Sequence, residues 1–209
     1  MILSPNALRI LGTLSEKQRT VPDTYPLSLN TLLAGCNQKT SRSPVMEVTE
    51  AGAVLALEEL REHGLVSDIF GNRVTRFAHH LEKVIGIPSQ ASALLTVLIL
   101  RGPQTAGELR LNCERLHSFA DISSVEAFLE EMAEREEDPL VVQLPRAPGS
   151  RENRWMHLLG GQPVIEESSG SVSHASSSLR SEIEELRERV STLESEMAAM
   201  KALLTELSS

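Results

Sequence analysis

The sequence predicts a mainly α protein with small β-hairpins: two tandem winged-helix domains followed by a C-terminal coiled-coil helix. Three observations predict it. A helical pattern that stops at Gly64 runs straight into two short alternating segments around Gly71 and Asn72. The same order begins again later, with Thr105, Leu109 and Cys113 standing 77 residues after Ser28, Leu32 and Cys36. Beyond a Ser-rich stretch, apolar residues recur at alternating spacings of four and three from Leu179 to Leu207. Spacings of this kind mark, in turn, a helix joined to a hairpin, an internal repeat and a heptad seam. The expected limits are 1–82 and 83–162 for the two domains, 163–178 for a linker and 179–207 for the coiled coil.

In the first domain, Ser4 is placed to cap a helix over Pro5–Leu14, with Pro5 at its first position and Leu8, Leu11 and Leu14 as its buried stripe. Residues 16–26 hold two prolines and read as an extended loop. Ser28 caps a second helix whose Leu29, Leu32, Leu33 and Cys36 face inward, and residues 39–47 form a polar turn carrying Lys39 and Arg42. A third helix places Val54, Leu57 and Leu60 on one face and ends at Gly64, a residue free to take positive φ. Gly71-Asn72 between Phe70 and Arg73 then reads as a two-residue hairpin turn.

The second domain repeats this after Pro88. Leu94, Val97 and Leu100 reproduce the spacing of Leu8, Leu11 and Leu14, LEEM (129–132) echoes LEEL (57–60), and LVVQL (140–144) is expected to pair with NRWMHL (153–158). Residues 164–178 are Ser-rich with few apolar side chains, the composition of a flexible linker. In the tail, Leu179, Ile183, Leu186, Val190, Leu193, Met197, Met200, Leu204 and Leu207 form the seam. Branched residues at a with Leu at d favour two parallel strands. Glu182, Arg189 and Glu196 at g meet Arg187, Glu194 and Lys201 at e with opposite charge. The expected partner is therefore a second copy of the chain, in a parallel homodimer.

Apolar residues make up 41% and aromatics 3% of the 209 residues, so the cores should be built from Leu, Val, Ile and Ala. Two cysteines make no disulfide framework, the first twelve residues lack a secretory signal pattern, and no apolar run is long enough to span a bilayer. A cytoplasmic protein without membrane attachment is expected. The net charge of −9 is spread unevenly: residues 1–80 carry 8 basic and 8 acidic side chains, and residues 81–162 carry 8 and 12. Neither is a basic domain, which argues against indiscriminate polyanion binding.

Three strings taken together carry a family resemblance: LSEKQRTVPDTYPLSLNTLLAGCNQKTSRSPVM (14–46), FGNRVTRF (70–77) and APGSRENRWMHL (147–158). They resemble the uncharacterised YceH-like family of bacterial proteins, with CNQK at 36–39 the most specific element. Ser41 and Ser43 stand where that family usually has an Asn and an acidic residue. The resemblance implies tandem winged helices with a C-terminal coiled coil, and no established activity.

No active site is legible. Cys36 and Cys113 fall at matching core positions of amphipathic helices, the pattern of small buried residues. His79 and His80 are neighbours on an expected strand, so they point to opposite faces and do not share a metal ion. Glycine-rich phosphate loops and G-x-S-x-G strings are absent from the sequence. No cofactor, metal or small-molecule substrate is expected, and the chain reads as non-enzymatic. In DNA-reading winged helices the third helix enters the major groove and the hairpin touches phosphates. Lys39, Arg42, Arg73 and Arg76 suit that role in the first domain, with Arg146, Arg151 and Arg154 their counterparts in the second. The third helices carry mostly glutamates: Glu50, Glu58, Glu59 and Glu62 in the first, and Glu126, Glu130, Glu131, Glu134, Glu136 and Glu137 in the second. The expectation is DNA-linked binding through domain 1. The alternative is a protein–protein adapter with acidic winged helices.

Overall fold

Ser4 opens the first helix as its place before Pro5 predicts, its hydroxyl accepting from Ala7 N at 3.2 Å. The computed structural model describes residues 1–71, 74–146, 149 and 152–162. The fold is mainly helical with small antiparallel sheets. The expected linker and coiled-coil seam lie in residues 163–209, outside the described residues.

Helix α1 (Pro5–Thr20) buries Ala7, Ile10, Leu11 and Leu14 completely. Leu8, expected in that stripe, is only half-buried. The helix continues six residues past Leu14, where the sequence reads as loop, because Glu16-Lys17-Gln18-Arg19 are good helix formers whatever their polarity. Pro22 sets its limit: Val21, the residue before it, sits at φ −143° and ψ 58°. After a 3-10 turn (Pro22–Thr24), strand β1 (Leu27–Ser28) and helix α2 (Leu29–Cys36) follow, with Ser28 capping α2 through Thr31 N. Helix α3 (Glu50–Glu62), capped by Thr49, buries Ala53, Ala56, Leu57 and Leu60. Val54, expected on this inner face, is 42% exposed. The small alanines take its place inward, where α3 lies close to α1. Gly64, at φ 68°, ends the helix as expected.

Strands β2 (Val66–Phe70) and β3 (Thr75–His79) pair antiparallel, Phe70 opposite Thr75, so four residues separate them and not the two read from Gly71-Asn72. Strand β1 pairs with the other edge of β3, Leu27 opposite Phe77, giving the order β1-β3-β2.

The short helix α4 (Leu81–Ile85), unmarked in the sequence by any long apolar period, ends at Gly86 with φ 70°. Helix α5 (Ser89–Arg101) buries Leu94, Val97 and Leu100 as expected. Helix α6 (Ala106–Cys113) starts in a capping box in which Thr105 Oγ1 accepts from Glu108 N and Glu108 reaches back to Thr105 N. Helix α7 (Ile122–Ala133) buries Val125, Leu129 and Met132, and β4 (Val141–Gln143) pairs with β5 (Trp155–His157). Gln104 bridges to Trp155 on the far edge of β5. Like the first half, the second runs through three helices and a hairpin, with the isolated Gln104 bridge where the first half has the strand β1.

Helices α1 and α5 join the two halves. A Cβ on Gly12 would stand 2.9 Å from Ile99 Cγ2 and Leu100 Cδ2, so the bare glycine is what lets the helices cross this closely. Three residues on, Ser15 Oγ and Thr96 Oγ1 share a buried hydrogen bond of 2.7 Å. Leu3 N donates to Leu159 O, and Ser43 N to Leu100 O, each at 2.8 Å. No helix among the described residues is long and apolar enough to cross a membrane.

Candidate functional site

The CNQK string forms the exit of α2. Two arginines stand at its carbonyl end, where cations offset the helix dipole. Arg9, 2% exposed, donates from Nη1 to Cys36 O at 3.1 Å and from Nη2 to Pro44 O at 2.6 Å. Burial, then the neighbouring charge of Arg42, lowers the Arg9 pKa from its ordinary value. Asn37 closes the loop like a miniature strand: its Nδ2 donates to Val48 O at 3.0 Å and its Oδ1 accepts from Val48 N at 2.7 Å. Cys36 is fully buried beneath this turn.

Arg42, expected to meet a phosphate, has all five N–H groups engaged inside the protein. Its Nε and Nη2 both donate to Gly35 O at 3.2 and 3.0 Å, and Nη1 donates to Ser41 O at 2.9 Å. Nη1 and Nη2 also form a fork onto Glu16 Oε1 and Oε2, at 3.1 and 2.6 Å. The side chain has no exposed surface. The expectation for Arg42 is corrected on this ground: it is an internal strut, with no donor left for a phosphate. Burial alone would raise the Glu16 pKa, but hydrogen bonds and charge from Arg42, together with Lys17 at 3.4 Å, outweigh it and hold the carboxyl below its ordinary value.

Of the other three expected nucleic-acid residues, two are among the described residues. Lys39 is exposed on the polar turn. Arg76 is exposed on β3, where Nη1 donates to Pro26 O at 2.8 Å and to Thr24 O at 3.3 Å. Arg73 lies outside the described residues. In the second half, Arg146 Nε donates to Asn153 Oδ1 at 3.1 Å and Arg154 stands 3.7 Å from Glu108. Arg151 lies outside the described residues.

The outward side of α3 carries Val54, Leu55, Glu58, Arg61 and Glu62, with Leu55 67% exposed. Arg61, its one cation, is committed to Asp68 at 2.8 Å and lies 5.9 Å from the Phe77 ring centre. Glu59 is turned onto the start of α1, accepting from Ser4 N at 2.7 Å and from Ser4 Oγ at 2.5 Å. Apolar residues flanking the hairpin loop are exposed as well: Ile69, Phe70 and Val74 at 43%, 82% and 46%. Sequence reading weighed the glutamates of this helix and missed its exposed apolar residues. Val54-Leu55, two large apolar residues in succession, carried the signal, since one face of a helix cannot bury both beside Ala53 and Leu57.

The cysteines lack the features of nucleophiles. Burial raises the Cys36 pKa above its ordinary value, against weaker opposing effects of the Thr13 hydroxyl and nearby arginines, and pushes Cys113 up to about 12. The two adjacent histidines serve different partners. His79 is buried, with Nε2 2.7 Å from Gln18 Oε1 and Nδ1 accepting from Leu81 N at 3.2 Å, whereas His80 Nε2 is 2.8 Å from Ser67 Oγ. Among the described residues, no group of three or more His, Cys, Asp or Glu side chains could hold a metal ion.

Comparison with known proteins gives one coherent result. The model of a family described as a protein of unknown function, DUF480, matches residues 3–150. A UPF0502 protein of Dechloromonas aromatica (strain RCB) is 68% identical over 200 residues, which cover 96% of this chain and 93% of that protein. A UPF0502 protein of Burkholderia multivorans is 58% identical over 208 residues, covering 99% and 88%. Another, from Burkholderia pseudomallei (strain K96243), is 57% identical over 202 residues, covering 97% and 86%.

Proposed function

The chain belongs to the DUF480 family of proteins of unknown function, and we propose that it is a non-catalytic, cytoplasmic binding protein built from two tandem winged helices. Three helices with a sheet ordered β1-β3-β2, and the same order repeated with Gln104, β5 and β4, support that architecture. Its partner is a protein, docked on the outer face of α3. One observation carries this reading: that face offers Val54, Leu55, Glu58 and Glu62, and its single arginine is already paired with Asp68. Phosphates would meet repulsion there in place of counterion release, whereas a basic amphipathic segment would find apolar contact and opposite charge. The tail of residues 179–207 joins two such chains through the heptad seam from Leu179 to Leu207.

The second reading is DNA binding through the first winged helix. It draws on Lys39, which is exposed and makes no hydrogen bond or ion pair among the described residues, and on Arg76 with Arg73. A fluorescence anisotropy titration of the full chain with a mixed-sequence duplex at about 50 mM salt separates the two. The protein-docking reading predicts no saturable binding. The DNA reading predicts binding that weakens in Lys39→Ala and Arg76→Ala, each lowering the log–log salt slope by about one unit.

A further inference from the structure

A groove of about 480 Å³ is formed by the end of α4, the loop from Arg135 to Leu140, the segment Leu158–Gln162 and the first two residues. Both halves build it, and backbone bonds from Leu3 N to Leu159 O and from Leu158 N to Leu140 O, each 2.8 Å, fix its base. Ile85, Leu140 and Leu159 are buried at its floor, while Ile2 and Val84 stay 71% and 43% exposed at its mouth. One cationic side chain lines it. Arg135 Nη2 donates to Ile85 O at 3.1 Å, and its Nε is shielded from solvent without any hydrogen-bond partner. The exposed Asp138 is the other charged side chain of the lining.

We propose that this groove binds a small apolar monocarboxylate, its hydrocarbon body on Ile85, Leu140 and Leu159 and its carboxylate at Arg135. The volume falls in the range of small-molecule sites, and an apolar wall with one convergent charged donor is their usual composition. Arg135 is the cationic side chain of the lining, and an anionic oxygen matches its charge. Asp138 at the rim disfavours a ligand of higher negative charge, which sets nucleotides and polyphosphates aside. The exposed Ile2 and Val84 gain burial when the groove is filled.

Isothermal titration calorimetry of the full chain with octanoate, and with 1-octanol as its uncharged counterpart, tests the proposal. Wild type should bind octanoate saturably, with a dissociation constant on the order of 1 mM or tighter for a probe of about ten heavy atoms. Octanol should bind about tenfold more weakly, the scale of one charge-assisted hydrogen bond. Arg135→Gln should lose about tenfold for octanoate and leave octanol unchanged. Val84→Trp, at an exposed position outside the core, should block both ligands while the thermal midpoint holds, so the test stands even where Arg135→Gln folds poorly. Absence of saturable octanoate binding by wild type, equal binding of octanol, or full octanoate binding by Val84→Trp would each overturn the site.

Discussion

Arg42 shows how a charge in the sequence misleads about its place. In the string CNQKTSRSP it stands among polar residues and reads as a solvated cation, yet its guanidinium is sealed under the turn. The missing information was Glu16, 26 residues earlier and itself assigned to a loop, together with the two carbonyls of Gly35 and Ser41. Removing one partner of a buried pair leaves the other charge uncompensated. Arg42→Ala should therefore destabilise the protein by about 3 kcal/mol, read as a fall in the urea midpoint. An unchanged midpoint would return Arg42 to the surface role that the sequence suggested. Cys36 and Cys113, by contrast, were legible as core residues, because amphipathic spacing alone places them inward and both are fully buried.

Two histidines make the stability depend on pH. Burial, foremost, lowers both His79 and His157 to about 4. The unfolded chain, with ordinary histidines near 6.5, binds more protons between these values, so acid favours unfolding. Their contribution is present above about pH 6.5 and is lost as pH falls toward 4. At pH 5 each should have given up about 2 kcal/mol relative to pH 7.5. Urea titrations at the two pH values check this, and replacing His79 with Gln should remove its share of the slope. A flat profile from pH 7.5 to 5 would contradict the buried, neutral assignment.

At the scale of elements, legibility followed the apolar period. Helices α2, α5, α6 and α7 and the pairing of β4 with β5 were readable because leucines, caps and alternation all agreed. Besides the short helix α4, three features escaped. The last six residues of α1 carry no apolar stripe, so only their propensity marks them as helix. Strand β1 is two residues long, and its pairing with β3 is a long-range choice that local pattern does not encode. The hairpin loop is set by the register of Phe70 against Thr75, not by the Gly-Asn dipeptide. Gly12 was equally silent: its purpose appears only when Ile99 and Leu100 are seen across the helix crossing. On α3, the same period that located the helix concealed its outer face, because Val54 fitted the inward spacing while the alanines did the packing.

For the whole molecule, the offset of 77 residues located the caps of α2 and α6 at Ser28 and Thr105 and the buried Cys36 and Cys113 at their ends. The proposed tail gives a rod of about 43 Å at 1.5 Å per residue, with the linker adding roughly 20 Å of reach. Sedimentation of the full chain against a version ending at Gln162 should give a dimer and a monomer respectively. A full-length monomer at tens of micromolar, roughly the range for a weak coiled coil, would defeat the seam. Dimerisation would then present two copies of α3 to one partner and raise its apparent affinity.

The central claim, that α3 meets a protein and not a nucleic acid, is tested most directly by a photo-crosslinking amino acid placed at Leu55 of the full chain in its native host, with an equivalent probe at Leu111, 73% exposed on α6, as the comparison. The account predicts an adduct at Leu55 that survives nuclease, disappears with protease and is absent at Leu111. Nuclease-sensitive adducts, or equal labelling at both positions, would contradict it.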